Sequence, residues 1–508
     1  MSAISPDRVS KIVGYKILKG NFRNTTPNLP HRIAILGEAN TANQASLSTD
    51  GEVITSAQEA ATLYGYGSPI HQAMRILKPL SGDGVGSIPI VAYAQAEPGG
   101  AAAKVIDVTP TGTATGNATH TVVVNGRRGI DGQSYNFNVE TGDDEAAISQ
   151  KIVDAINSVI SSPVSAATDT TPDRAVATSK WAGLTADDIT VTIDVNDNAV
   201  GVTYASASTT SGSGAPTVTA SLNKFESEWN TVVVNCYGTS SDIMDELEAF
   251  NGIADPTSPT GRYAPGVFKP FLALTGTTDS SLSNLKAIGN ARKDEMTIAL
   301  CVAPNSLSLP VEVAANMAEQ FALQAQNNPH LDVQDKNYRD IHVPETTIGD
   351  MEDSDERDLL VKAGVSTVQK VSGKYQIIDF VTTYHPDGEL PPQFRYPRNI
   401  NIDWNIQYGQ KLLVEQFVIG NAIAPDGQTV SVDTVVKPSS FKQVMFSYAD
   451  DLSLRALIAD ADFMKDNTVV EIDDVNPDRM NTEFSYKRTG FGRIASTVAT
   501  AGFNFGNA

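Results

Sequence analysis

The chain reads as a multidomain α/β and α+β protein: an α/β middle domain carrying a β-rich insertion domain, then a C-terminal α+β domain, with extended arms at both ends. Three observations predict this. Strand-like apolar runs alternate with helical patterns over residues 33 to 94 and again from 231 to about 327, as strand-helix-strand units do. Between them, residues 104 to 225 change to Thr, Ser, Val, Gly and Asp with short β-like runs such as HTVVVNG, SYNFNVE and ITVTIDV. From 359 onward come a hairpin, a long helix and a β-prone tail. The expected boundaries are an N-terminal arm at 1–27, the discontinuous α/β domain at 28–103 and 226–358, the insertion at 104–225, the C-terminal domain at 359–488 and a C-terminal arm at 489–508.

Taking the elements in order, Val9, Ile12, Val13, Tyr15 and Ile17 alternate loosely with polar residues before Thr26-Pro27, which suits an extended arm. Strand IAILG starts the α/β pattern, and Ser56 with Glu59 forms a capping box for a helix ending near Tyr64-Gly65. Ser68-Pro69 starts a second helix, and strand IPIVAYA completes a unit whose default geometry is parallel. The insertion holds one clear helix, Asp143 to Ser161, with Ile148, Ile152, Ile156 and Ile160 along one face, and Thr209 to Gly214 reads as a flexible loop. The α/β pattern then resumes through TVVVNCYG, DIMDELEAF, GVFKPFLALTG, LSNLKAIGNAR and MTIALCVAP. Pro310 opens a helix with Val313, Met317 and Phe321 inward, and Asn327-Asn328-Pro329 closes it. Residues 327 to 358 read as an irregular loop ending in an acidic run.

Ser366–Val371 and Tyr375–Tyr384 are β-rich runs around Ser372, Gly373 and Lys374, a hairpin composition. A helix capped by Asn401 or Asp403 follows, with Ile406, Leu413 and Phe417 on its apolar face beside Tyr408 and Leu412. After a β run, VSVDTVV, a helix is expected from about Ser439 to Asp462, then strand TVVEI. Residues 482 to 505 are β-prone with no partner strand after them, and unpaired strands invite pairing with another chain.

A chain of 508 residues is long enough for several cores, and its 41% hydrophobic and 19% charged residues are ordinary for a globular protein. The formal charge of −22 argues against phosphate backbones as partners, since Lys and Arg supply most nucleic-acid affinity. No apolar run approaches a membrane span, and the start lacks the pattern of a secretory signal, so a cytoplasmic site of synthesis and assembly is expected. Cys236 and Cys301 sit in apolar runs as buried free thiols, which excludes a disulfide framework.

Candidate chemistry is sparse. No phosphate loop or Gly-x-Gly-x-x-Gly follows a strand, and Gly82-Asp83-Gly84-Val85-Gly86 precedes one, as a plain loop would. Asp194, Asn196 and Asn198 have calcium-loop spacing, but Ala199 stands where Gly is needed and Ala205 where Glu is needed, so a turn is the better reading. His31, His71, His120, His330, His342 and His385 lie at no metal-ligand spacing. Asp350, Glu352, Asp353, Asp355, Glu356 and Asp358 read as a solvated loop with Arg357. The Tyr486–Arg493 run suits a protein contact better than nucleic acid. No nucleophile motif is present, and no catalytic residue, metal or cofactor is expected.

The order of these parts, with the blocks KAGVSTVQKV, GKYQIIDFVTTY and YPRNINIDWNIQYGQ and the final β tail, resembles the sheath subunit of contractile phage tails, in particular the Mu-like myovirus branch. The resemblance implies a virion structural protein, not an enzyme, that forms a helical homopolymer around a tail tube protein, is bounded by baseplate and tail terminator proteins, and contracts for genome delivery. It needs no cofactor, and no direct nucleic acid or membrane contact. It implies strand exchange between subunits through Val9, Ile12, Val13, Tyr15, Ile17, Ile494, Val498, Phe503 and Phe505, an acceptor sheet around Ile377, Phe380 and Val381, and a tube-facing helix with Lys442 and Arg455 as contacts. A proline at Phe380 or Val381 is then expected to damage the lattice through that sheet. The alternatives are the sheath of a phage-derived bacteriocin or secretion-type machine, and an α/β enzyme or ligand-binding protein.

Overall fold

The apolar runs set between helical patterns assemble into one six-stranded sheet. The computed structural model describes residues 26–82, 84–171, 173–254 and 257–503. Across the sheet the strands run Ile298–Val302, Leu272–Thr277, Val232–Asn235, Ile33–Glu38, Ile90–Gln95 and Glu52–Ile54. Every neighbouring pair is parallel except the last, where Glu52–Ile54 closes one edge antiparallel. The five parallel strands are buried along their whole length, which is why they read as continuous apolar runs and not as alternating ones.

Helices cover both faces. Phe225, Val233, Leu247, Phe271 and Ile298 form a core on one side with helix Ser241–Asn251. On the other, helix Pro310–Asn327 lies so close to Leu272–Thr277 that a Cβ at Gly276 would sit 1.9 Å from the Pro310 carbonyl oxygen, so only glycine admits this approach. Each fully buried Ile or Phe on these faces contributes about 1.5–3 kcal/mol. The caps follow the sequence closely. Ser56 accepts from the Glu59 amide at 3.1 Å and starts helix Ala57–Tyr64, although the Glu59 carboxylate accepts from Thr55 and so completes only half of a capping box. Ser68 accepts from the His71 amide at 3.2 Å and starts Pro69–Leu77.

Between Ile90–Gln95 and Val232–Asn235 the chain leaves this sheet and builds two larger antiparallel ones, besides a short hairpin of Gly129–Ile130 with Gln133–Ser134. The first has the order Thr203–Thr210, Ala103–Thr111, Asp173–Ala182, Val164–Thr170, and the second Val191–Asp194, Ala118–Val124, Asn136–Val139. Helix Glu145–Ser158 packs on both, with Ile148, Ile152 and Ile156 buried. Ile160, expected on the same face, is 54% exposed because the helix ends at Ser158. The expected loop at Thr209–Gly214 is instead strand through Thr210, and Ser213 bridges Ala102. Arg127 pairs with the fully buried Glu312 at 2.7 Å, and Arg75 pairs with Asp131 and Asp340, both at 2.8 Å, fastening the insertion to the helices of the α/β sheet.

The acidic run is not a loop. Asp353 accepts from the Asp355 amide and caps helix Ser354–Lys362, placing Asp355 and Glu356 in a first turn where the helix dipole favours negative charge. Helix Pro397–Phe417 starts with proline in its first turn, upstream of the expected caps Asn401 and Asp403. The chain forms two compact units, Leu29–Trp404 and Met1–Asn28 with Asn405–Ala508, so the break falls inside this helix.

In the second unit, of which residues 26–28 and 405–503 are described, Tyr448 of helix Pro438–Leu454 donates to the Ile406 carbonyl at 2.8 Å. The expected single helix to Asp462 is interrupted where Ala456 takes φ +54°, and a separate helix, Ala461–Asp466, is capped by Asp460. The VSVDTVV run yields only Val435–Val436, paired with Ala422–Ile423.

Candidate assembly surfaces

Strand addition needs a sheet edge whose amides and carbonyls are unused, and an extended segment to meet it. The hairpin Thr367–Val371 and Lys374–Asp379 forms as the turn composition predicts. Its outer edge at Lys374–Asp379 is, however, occupied within the chain: Ile377 donates to the Lys336 carbonyl at 2.8 Å and accepts from the Asp335 amide at 2.9 Å, while Tyr338 donates to the Tyr375 carbonyl at 2.9 Å. The flanks of the hairpin extend the α/β sheet instead. Ser366 donates to Leu300 at 3.1 Å and Thr383 to Ile298 at 2.9 Å.

Phe380 and Val381 lie beyond the strand. Phe380 is 1% exposed with its ring 5.4 Å from that of Phe321, and the Val381 amide and carbonyl both bond the Ser366 hydroxyl at 3.2 Å. The acceptor residues expected from the sequence are therefore core of the Leu29–Trp404 unit.

The second unit has a two-stranded antiparallel sheet, Val469–Ile472 with Met480–Glu483. Among the described residues, neither strand makes a backbone hydrogen bond along its outer edge. The chain is then fastened as far as Thr489: Ala459 donates to the Lys487 carbonyl at 2.8 Å, Thr489 donates to Leu457 at 3.2 Å, and the Lys487 ammonium pairs with Asp460 at 3.0 Å over the Phe463 ring. The basic, aromatic run is thus partly used at home. Residues 490–503 have neither helix nor strand, and Ile494, Val498 and Phe503 are 93%, 91% and 89% exposed. Val9, Ile12, Val13, Tyr15, Ile17 and Phe505 lie outside the described residues.

Arg455, expected to contact a tube, is held inside the unit. Its guanidinium donates to the Thr26 carbonyl and hydroxyl, both at 3.0 Å, and to Asn28, and it pairs with the buried Asp451 at 3.3 Å. Thr26 also donates to Asp451 at 3.2 Å, so four side chains latch the start of the described chain to helix Pro438–Leu454. No sequence pattern joins residues 425 positions apart. Lys442 is half-buried, with its ammonium 5.6 Å from the Phe446 ring centroid one turn on.

The carboxyl end of the central sheet, where α/β folds place ligands, is filled from within. Glu38 at the end of Ile33–Glu38 is fully buried and accepts from the Thr185 hydroxyl, which in turn accepts from the Trp181 indole at 2.8 Å. Burial raises its carboxyl to about 8, the Thr185 bond opposing and the nearby Glu97 charge reinforcing that rise. Both cysteines are buried free thiols, each raised by burial. Asp194 of the calcium-like spacing pairs with Arg128 and accepts from the Asn196 amide at 2.8 Å, inside a turn. Among the described residues, no group of His, Cys, Asp or Glu could hold a metal ion, and no helix is long and apolar enough to cross a membrane.

No protein-family model matches the chain, and no curated protein matches it. Among solved structures, it is similar to the sheath tail protein of Desulfitobacterium hafniense, at 14% identity and a TM-score of 0.44 over 94% of this chain and all of that one. It is also similar to a chain in the baseplate of the anti-feeding prophage, at 10% identity and a TM-score of 0.46 over 97% of this chain and all of that one.

Proposed function

We propose that the chain is the structural subunit of a contractile tail sheath, polymerising helically around a tail tube and shortening to drive the tube through a host envelope. The reading is supported by the sequence blocks at 362–371, 373–384 and 396–410. The observation that carries it is the presence in one unit of an exposed, largely apolar tail at 494–503 and a two-stranded sheet whose outer edges are open among the described residues. A strand from one subunit laid on the Val469–Ile472 or Met480–Glu483 edge of another supplies main-chain hydrogen bonds of about 0.5–1.5 kcal/mol each. Burying Ile494, Val498 and Phe503 adds about 1.5–3 kcal/mol per side chain before ordering is counted.

Head-to-tail contact of this kind does not close on itself and generates a helical array. Such linkers tolerate rotation of the units they join, so an extended lattice held behind a barrier relaxes to a shorter one while remaining connected. The residues at 1–27 serve as the second linker in this reading. Its partners are further copies of the chain, a tube protein, and baseplate and terminator proteins, and its role is mechanical, not catalytic. Genome delivery from a virion is the specific form proposed.

Negative-stain electron microscopy of the purified chain tests this reading. Rods or hollow tubes are expected; a strictly monomeric protein at every salt concentration contradicts it.

A further inference from the structure

The start of the chain differs in charge from the rest. Of 59 Asp and Glu residues, 1–27 hold only Asp7, yet they carry Arg8, Lys11, Lys16, Lys19 and Arg23 on a chain whose formal charge is −22. Laid out as a strand, 8–19 sets Val13, Tyr15 and Ile17, flanked by Lys11 and Lys19, on one face and Ile12, Lys16 and Leu18 on the other. The tail from Ile494 onward has no charged residue at all.

The open sheet of the second unit has the opposite character. Its register places Val469 opposite Glu483 and Ile472 opposite Met480, so its two faces differ. Val470, Ile472, Met480 and Thr482 form a half-buried row, and helix Pro438–Leu454 packs on Val469–Ile472. Glu471 and Glu483 are exposed on the other face, with Asp474 and Asp478 exposed in the connecting turn. Among the described residues none of these four carboxylates forms an ion pair, and the turn's own cation, Arg479, is paired with Asp473 at 3.7 Å. Charge on an open edge discourages indiscriminate pairing and favours a strand of opposite sign.

We propose, resting on the strand-exchange reading above, that this sheet takes residues 8–19 of another copy on one edge, and that their cations, set against these four carboxylates, select that segment and make assembly depend on ionic strength. Val13, Tyr15 and Ile17 continue the half-buried row of Val470 and Ile472, and Lys16 falls on the face of Glu471 and Glu483. The uncharged tail gains nothing from the carboxylates and is left the second edge. Exposed pairs of this kind act through solvent, where the screening length shrinks from about 10 Å at 0.1 M salt to about 3 Å at 1 M, so salt weakens both capture and retention.

Fluorescence anisotropy of a labelled peptide of residues 4–23, titrated with the full chain below its assembly threshold, tests the proposal. Affinity should fall more than tenfold between 0.05 and 0.5 M NaCl. Glu471→Lys with Glu483→Lys should lose the native peptide and bind one carrying Lys11→Glu, Lys16→Glu and Lys19→Glu; both carboxylates are exposed, and circular dichroism checks that the fold is kept. In assembly, a chain with the reversed sheet and a chain with the reversed arm should each fail alone and form mixed tubes together. Rescue only when both sets of changes share one chain would put the arm on its own sheet and overturn the exchange between copies. No peptide binding, or binding indifferent to salt and to the carboxylates, overturns the proposal even where native tubes form. Charge-dependent binding by a chain that never forms tubes would instead support this contact and overturn the sheath reading.

Discussion

Replacing Glu38 by glutamine isolates the electrostatic cost of closing the carboxyl end of the central sheet with the inserted domain. Below pH 4.5 the carboxyl is protonated both folded and unfolded and contributes nothing to pH dependence. Between 4.5 and about 8 the unfolded chain releases this proton while the folded chain keeps it, so stability falls as pH rises. Above about 8 the loss is complete. The rate is about 1.4 kcal/mol per pH unit, and the full span is roughly 5 kcal/mol for a group wholly removed from water. Glutamine cannot ionise and keeps an oxygen for the Thr185 hydroxyl. The stability advantage of Glu38→Gln over the native chain should therefore grow from near zero at pH 4 to several kcal/mol at pH 8.5. All three tryptophans, Trp181, Trp229 and Trp404, lie in the Leu29–Trp404 unit, so urea unfolding followed by their fluorescence reads that unit. Groups remote from Glu38 titrate alike in both proteins and cancel in the difference. Two unfolding series that stay parallel from pH 4 to 8.5 would refute the reasoning.

Three further substitutions separate packing from pattern. Ile152→Ala, at a fully buried position on helix Glu145–Ser158, should cost about 2–5 kcal/mol, whereas Ile160→Ala, past the helix end, should stay within about 0.5 kcal/mol; equal effects in thermal unfolding would contradict the observed helix end. Phe380→Pro should abolish folding of the Leu29–Trp404 unit, not assembly alone, because Phe380 packs on Phe321 and its neighbour Val381 bonds Ser366. A folded, unpolymerised variant, judged by circular dichroism and sedimentation, would return these residues to an exposed edge.

What was legible in the sequence is what short-range chemistry dictates. Ser56, Ser68 and Pro310 start the helices they were expected to start, and apolar runs buried on both faces became the parallel strands. The misreadings share a cause. The acidic run is largely solvated, as its composition implies, but Asp353 caps a helix there and not a loop, and Pro397, not Asn401 or Asp403, stands at the start of the long helix. Ala456 breaks a helix from the left-handed region that no propensity assigns to alanine. Edges were less legible still, because the segment 335–338 that fills the edge at Ile377 is remote from it in sequence. The same holds for the Thr26–Arg455 latch, created only when distant segments meet.

The central claim is that the exposed residues from Ile494 onward link one copy to the next and are not needed for the fold of their own chain. A chain ending at Arg493 tests it most directly, compared with the full chain by electron microscopy and by tryptophan and circular dichroism spectra. The account predicts unchanged spectra and thermal unfolding, with tubes from the full chain and none from the shortened one. Tubes from the shortened chain, or collapse of its folded spectra, would contradict it.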